Sequence, residues 1–236
     1  MLGVIVNVLA VLAGGGIGLL LKRGIPQRVS GAVMTAIGLC TLYIGISGSL
    51  TEPNVLVVIA AMVLGVLVGT LLDLDGRLNR LGDRLEKKAG KAGEGSIAQG
   101  FVTASLLFCV GAMTVVGSLQ SGLSGDNTLI FTKSTLDFIS SMMLSASLGV
   151  GVVLAAGFVL VVQGGLVLLA GLLAPILSEA AIADLTCVGS LMIVALGLNL
   201  IKITKLKVAD FLPALVISPL VTKLGELLER IFAKIV

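Results

Sequence analysis

Polar positions are sparse along this chain and come in clusters, and between the clusters run apolar blocks of about 18 to 22 residues. At ~1.5 Å of rise per residue, each block makes a helix long enough to cross a ~30 Å hydrocarbon core. The pattern predicts eight spans, at about 4–21, 30–49, 54–72, 98–118, 137–154, 157–176, 184–201 and 209–224. The run from Phe138 to Leu177 carries no charge and is too long for one crossing. Dividing it near Ala155-Ala156-Gly157 gives the eight-span version; a seven-span alternative makes one half re-entrant. Either way the fold class is all-α, a polytopic transmembrane helical bundle forming a single integral membrane domain over 1–236.

The charges between the blocks give the bundle an orientation. Lys22, Arg23 and Arg28 follow span one, Arg77, Arg80, Arg84, Lys87, Lys88 and Lys91 follow span three, and Lys202, Lys205 and Lys207 follow span seven. The alternate connections hold Glu52, Asp126, Asp137, Glu179 and Asp184 against a single Lys133. Basic connections stay on the cytoplasmic side, so the N-terminus is expected outside. The tail, with Lys223, Arg230 and Lys234, reads as an amphipathic extension at the interface. In the polar connection 77–96, Leu78, Leu81 and Leu85 recur at helical spacing. It reads as a cytoplasmic extension of span three, with a partner-binding helix as the alternative.

The stretch Phe101–Asp137 departs from the rest. Thr103, Ser105, Cys109, Gly111, Thr114, Gly117 and Ser118 are sown through an apolar run that leads into Gln120, Gly122, Ser124, Gly125 and Asp126. A helix that needed only to dissolve in lipid would have no use for them. The expectation is a helix that packs closely on its neighbours and unwinds at its glycine-rich end. Ala36-Ile37-Gly38-Leu39 in span two is echoed by Ala195-Leu196-Gly197-Leu198 in span seven. If 1–88 and 157–236 are repeats flanking the segment 97–156, they cross the membrane in opposite senses, the inverted-repeat arrangement of secondary transporters.

Composition narrows the chemistry. With 57% hydrophobic and 12% charged residues the chain is no soluble domain, and a net charge of +3 parcelled into connections gives no nucleic-acid surface. Histidine is absent, and the three cysteines are scattered through apolar blocks. No metal site, no cofactor and no enzyme activity are therefore expected. The span residues Asn7, Thr35, Thr41, Ser105, Gln163, Ser190 and Asn199 can each be interhelical glue; Asn7 and Asn199 stand out because they fall in the two repeats. Lys133 and Asp137, at i and i+4, would share one helix face at the start of span five, with no charge at any span centre. Asp210 lies beside Pro213, with Pro219 further on, where proline frees a backbone carbonyl.

The stretch 101–137, with Asn7 and its glycine run, the block 36–46, Gly197-Leu198-Asn199 and the block 207–219, resembles the bacterial inner-membrane family known as domain of unknown function 554, the YqgA/YdfK-like proteins. The resemblance covers nearly the whole chain and implies a multi-span protein of the cytoplasmic membrane, with no established substrate. Two positions depart from the family's pattern: Asp210 stands where an asparagine is usual, and Phe138 where a glycine is usual.

The reading these features favour is a transporter or channel-like protein, homo-oligomeric in the lipid bilayer, for a small polar or ionic solute. Its path would be lined by Asn7, Ser105, Cys109, Gly111, Met113, Ser118, Gln120, Asp126, Lys133, Asp137, Asn199 and Asp210. The alternative is a non-transporting scaffold or signalling protein acting through 77–96.

Overall fold

The structure, a computed structural model, describes residues 1–22, 27–50, 52–80, 97–109 and 112–232. Among these every regular element is helical. Helix α1 spans Leu2–Lys22 and α2 Gln27–Ser49. Helix α3 (Val55–Leu71) turns through 51° into α4 (Leu74–Arg80). Helix α5 (Ile97–Cys109) is followed, across a 59° bend, by α6 (Ala112–Leu123). Then come α7 (Thr128–Leu148), α8 (Gly151–Leu168), the single turn α9 (Ala170–Leu173) and α10 (Glu179–Leu200). A 3-10 turn, Val208–Phe211, leads into α11 (Leu212–Phe232).

Among the described residues four helices, α1, α8, α10 and the segment leading through α11, are long and apolar enough to cross a membrane, and counting each bent pair as one span makes six. The expected eight spans thus correspond to helical units of unequal apolarity. Helix α2 is apolar over Thr35–Ser49. Helix α7 has the length, at 21 residues, but Lys133, Asp137 and its hydroxyls lower its hydropathy.

Two expected boundaries move. The charge-free run divides at Gly149, not at Ala155-Ala156-Gly157. Gly149 ends α7 at φ +81, a conformation that costs an L side chain but not glycine. Ala155 and Ala156 lie buried in the middle of α8. The central stretch breaks between Cys109 and Ala112, not at its glycine-rich end, and α6 stays helical to Leu123. Gly111 lies outside the described residues, as does the connection 77–96 beyond Arg80.

Small residues set the packing, because in lipid helices are drawn together by dispersion and close backbone approach. Gly14 and Gly18 seat α1 on α7: a Cβ at Gly14 would fall 2.2 Å from the Phe138 carbonyl oxygen, and one at Gly18 2.2 Å from that of Met142. Gly3, opposite Ile130 and Asn127, completes this line and shows that α1 and α7 run parallel. In the other half, Gly38, Gly45 and Gly48 lay α2 antiparallel along α10, while Gly65 and Gly69 lay α3 along Ala214 and Asp210.

Two buried carboxylates hold the ends of the α3–α4 unit. Asp184 of α10 accepts from the backbone N–H of Asn54 (2.7 Å) and from the Thr222 hydroxyl (2.7 Å). Asp210 accepts from the backbone N–H of Asp75 in the first turn of α4 (2.9 Å), where a helix leaves donors unpaired. Helix α5 stands between two apolar clusters. Ala104, Phe108 and Cys109 pack with α7 and α8, and Val102 and Leu106 pack against Met192, Leu196 and Val208.

The glycine contacts give a direct test. Gly14→Leu forces α1 off α7 and should lower stability by about 1–3 kcal/mol or more, read as a fall in the unfolding midpoint in detergent. Gly16→Leu, whose Cβ would meet open space, should leave the midpoint unchanged.

Candidate functional site

Helix α7 carries the chain's polar core. It begins at Thr128, so Asp137 is the tenth of its 21 residues, about 14 Å along it at ~1.5 Å per residue. The pair expected at the start of span five therefore lies inside α7, a helix that is not among those apolar enough to count as a span among the described residues. Lys133 and Asp137 are each 5% exposed, and the Lys133 ammonium donates to Asp137 Oδ2. The difference arises because the α7 start is set by the loop before it. Asp126 Oδ1 accepts from the Thr128 N–H (2.9 Å) and hydroxyl (2.7 Å), starting the helix nine residues ahead of Asp137.

The glycine line of α1 brings Asn7, fully buried, onto this pair. Its Nδ2 donates to Asp137 Oδ2 (3.0 Å) and to Gln163 Oε1 of α8 (3.0 Å). The Lys133 ammonium lies 5.9 Å from the centroid of the Phe108 ring, within cation–π range, and the charges of Lys133 and Asp137 both act on Cys109. Ser105 stands one turn before Cys109 on α5. Four helices thus converge on one ion pair, at the level where the α5–α6 unit is bent. The Thr114 hydroxyl, just past the bend, donates to the Phe108 carbonyl (3.1 Å).

The hydrogen bonding is incomplete. Asn7 Oδ1, Gln163 Nε2 and the hydroxyls of Ser105, Ser118 and Ser145 are buried without a partner among the described residues. Each such group costs about 1–3 kcal/mol.

Of the residues expected on the path, the structure gathers Asn7, Cys109, Lys133 and Asp137, with Ser105 beside them. Ser118 is fully buried on α6, which packs between α7 and α8. The rest stand elsewhere. Met113 is 39% exposed and faces outward, and Gln120 is half-buried. Asp126 is on the surface, and its bonds to Thr128 hold its carboxyl below the usual carboxylate range. Asn199 pins the connection after α10, donating to the Leu206 carbonyl (2.8 Å) and accepting from the Leu206 N–H (2.9 Å) and the Thr204 hydroxyl (2.7 Å). Asp210 caps α4. Gln163, passed over as glue, belongs to the site; the signal was that it is the lone amide in the charge-free run 138–177. Asn127 also went unremarked, and it accepts from the Gly3 N–H (3.1 Å) and the Ser121 hydroxyl (2.8 Å), tying α1 to α7.

At the end of the bundle that holds Arg77, Arg80 and the Lys202–Lys207 connection, a cavity of about 270 Å³ opens between α4, α5 and α10. Its wall includes Asp75, Asn79, Lys205 and Lys207, and it borders Val102 of α5.

Breaking the pair one residue at a time should cost far more than replacing it whole. Asp137→Leu or Lys133→Leu alone leaves a buried charge unpaired, at about 3–5 kcal/mol. The double Lys133→Leu/Asp137→Leu variant should recover most of that loss, giving a strong coupling in a double-mutant cycle of unfolding midpoints.

Comparisons with known proteins place the chain. The family model described as "Protein of unknown function (DUF554)" matches residues 2–223. The chain is 31% identical over 226 residues to the protein called "Uncharacterized membrane protein YdfK" of Bacillus subtilis (strain 168), covering 94% of this chain and 95% of that one. It is 30% identical over 221 residues to "Uncharacterized protein YqgA" of Escherichia coli (strain K12), covering 92% and 94%. No solved structure matches it.

Proposed function

The chain belongs to the DUF554 family of membrane proteins, and on that premise we propose that it conducts a small polar or ionic solute across the cytoplasmic membrane. The observation that carries this reading is the buried Lys133–Asp137 pair, held by Asn7 and Gln163 beside the bend between α5 and α6. By insertion scales a charge at the membrane centre costs about 2.5–3.5 kcal/mol, and ionisable groups kept there mark solute and proton pathways. Irregular backbone at that depth is tolerated only where protein or a polar passage covers it.

The solute-facing set is Asn7, Ser105, Cys109, Ser118, Lys133, Asp137 and Gln163. Their atoms suit a molecule of a few heavy atoms that accepts or donates hydrogen bonds. Pairing of α2 with α10 and of α3 with α11 supports a two-triplet organisation, with the α5–α7 segment moving between the halves. The cavity at the basic end supports an opening on that side.

The test is flux through purified protein in liposomes, using labelled small anions, cations and neutral amino acids in turn. Native protein should pass at least one, with Ser118→Ala reducing the rate several-fold. The folded Lys133→Leu/Asp137→Leu double variant should pass none. Flux that survives the double variant would show that the pair does not serve conduction.

A further inference from the structure

We propose that the Lys133–Asp137 pair is the binding site of a small monovalent anion, an inorganic anion or a short carboxylate, that enters with one proton. The proposal rests on the conduction reading above and names the solute class that the same site takes.

Charge balance is the first step. The closed site is neutral, Lys133 cationic against Asp137 anionic, and both are 5% exposed. A net charge introduced there is strongly disfavoured. An anion taking Asp137's place at Lys133 keeps the site neutral only if Asp137 becomes a carboxylic acid. A cation taking Lys133's place at Asp137 keeps it neutral only if Lys133 loses its proton. The Lys133 ammonium lies 5.9 Å from the Phe108 ring, a contact that a cation displacing it would break and an anion displacing Asp137 would leave in place. The first exchange is the one the site accommodates.

The unpartnered atoms then fall into two complementary sets. Asn7 grips Asp137 through Nδ2, and the oxygen of the same carboxamide, Asn7 Oδ1, is a buried acceptor without a donor. A carboxylate has no hydrogen to give it, whereas a carboxylic acid does. Protonated Asp137 can donate its O–H to Asn7 Oδ1 while still accepting from Nδ2, pairing acid and amide face to face. On the other side, Gln163 Nε2, on the amide whose oxygen Asn7 holds at 3.0 Å, is a donor in want of an acceptor, and the ammonium freed from Asp137 joins it. The idle groups of the resting state are the groups the loaded state requires.

Other titratable groups do not supply the proton balance. Lys133 and Asp137 are the charged residues of α7, and facing them are Asn7 from α1, Cys109 with Phe108 from α5, and Gln163 from α8. Helices α6 and α2, also packed on α7, present Ser118 and apolar Ile37. The proton comes from water on the side of entry, passes to a carboxylate oxygen of Asp137, and leaves with the anion on the far side. The cavity at the basic end agrees in sign: among the described residues Lys205 and Lys207 line it against one carboxylate, that of Asp75, a balance that raises the local concentration of anions. Val102, Leu106, Met192 and Leu196 form an apolar cluster that borders it at Val102 and Leu196. Along α5, Val102 stands roughly 10 Å from Cys109.

The experiment is anion-linked proton uptake by purified protein in weakly buffered detergent. Sodium salts of chloride, nitrate, formate, acetate and lactate are added in turn with a pH-indicating dye. Native protein should take up about one proton per anion bound, and its apparent affinity should fall about tenfold for each unit rise in pH. Asp137→Asn should bind the anion with no proton uptake and no such pH dependence, and Lys133→Gln should bind none. Asn7→Leu, which keeps the ion pair, should weaken the proton-linked binding and serves where Asp137→Asn does not fold. Binding without proton uptake, binding that tightens as pH rises, binding of a cation with proton release, or binding of none of the five anions each overturns the proposal. In liposomes, flux of a cation or neutral solute without any anion-linked proton movement would sink this proposal and spare the conduction reading. Anion-linked proton uptake without flux of any solute would sink conduction and leave the site assignment standing.

Discussion

A carboxylate buried in a helical bundle needs donors brought to it, and the first half of this bundle is arranged to bring two to Oδ2 of Asp137. Its neighbour on α7 supplies one donor, the Lys133 ammonium, at the i,i+4 spacing that any helix provides. The second must come from another helix, which has to approach closely enough for a short side chain to reach. Gly3, Gly14 and Gly18 let α1 lie against the α7 backbone, and Asn7, on the same face, then meets Asp137 at 3.0 Å. The glycines and the amide are parts of one device. A bulkier α1 would keep the amide in the sequence and lose its contact.

The second half uses carboxylates differently. Asp184 and Asp210 are as buried as Asp137, but their bonds are to backbone N–H groups and a hydroxyl rather than to a cation. Helix starts are rich in unpaired donors, so a carboxylate there is stabilised by the backbone itself. These two residues fix the ends of the α3–α4 unit. Asp137 sits mid-helix, where the backbone has no donors to spare. Position along a helix therefore separates a structural acid from one whose charge depends on mobile side chains.

Much of this was legible in the sequence. Apolar blocks of spanning length predicted a helical membrane bundle, and the small residues of 101–137 predicted a closely packed helix there. The hydroxylated stretch 101–126 does contain an interrupted helix. The depth of the ion pair was not legible, for a physical reason: α7 is polar enough to hide from a hydropathy reading, and its start is set by Asp126 and its bonds to Thr128 rather than by the onset of apolar residues. A span assumed to begin at Asp137 leaves Lys133 in water; one beginning at Thr128 buries both. Asn199 differs from Asn7 in its surroundings. Its amide looks like Asn7's in the sequence, but three local bonds occupy it in the turn after α10, and that turn geometry is invisible to periodicity.

The bent α5–α6 unit links these parts. One face of α5 meets the ion pair through the Phe108 ring, while Val102, clustered with Leu106 on another face, lines the basic cavity. Cys109 ends the helix just where the chain turns through 59°. A continuous helix would transmit any shift at the pair along its full length, against every contact in both clusters. An interrupted one confines the shift to the segment on one side of the bend. Thr114 bridges the interruption, its hydroxyl donating to the Phe108 carbonyl. Phe108 is thus the junction: its carbonyl meets Thr114 across the break, its ring faces the lysine, and its helix carries the apolar cluster that borders the basic cavity.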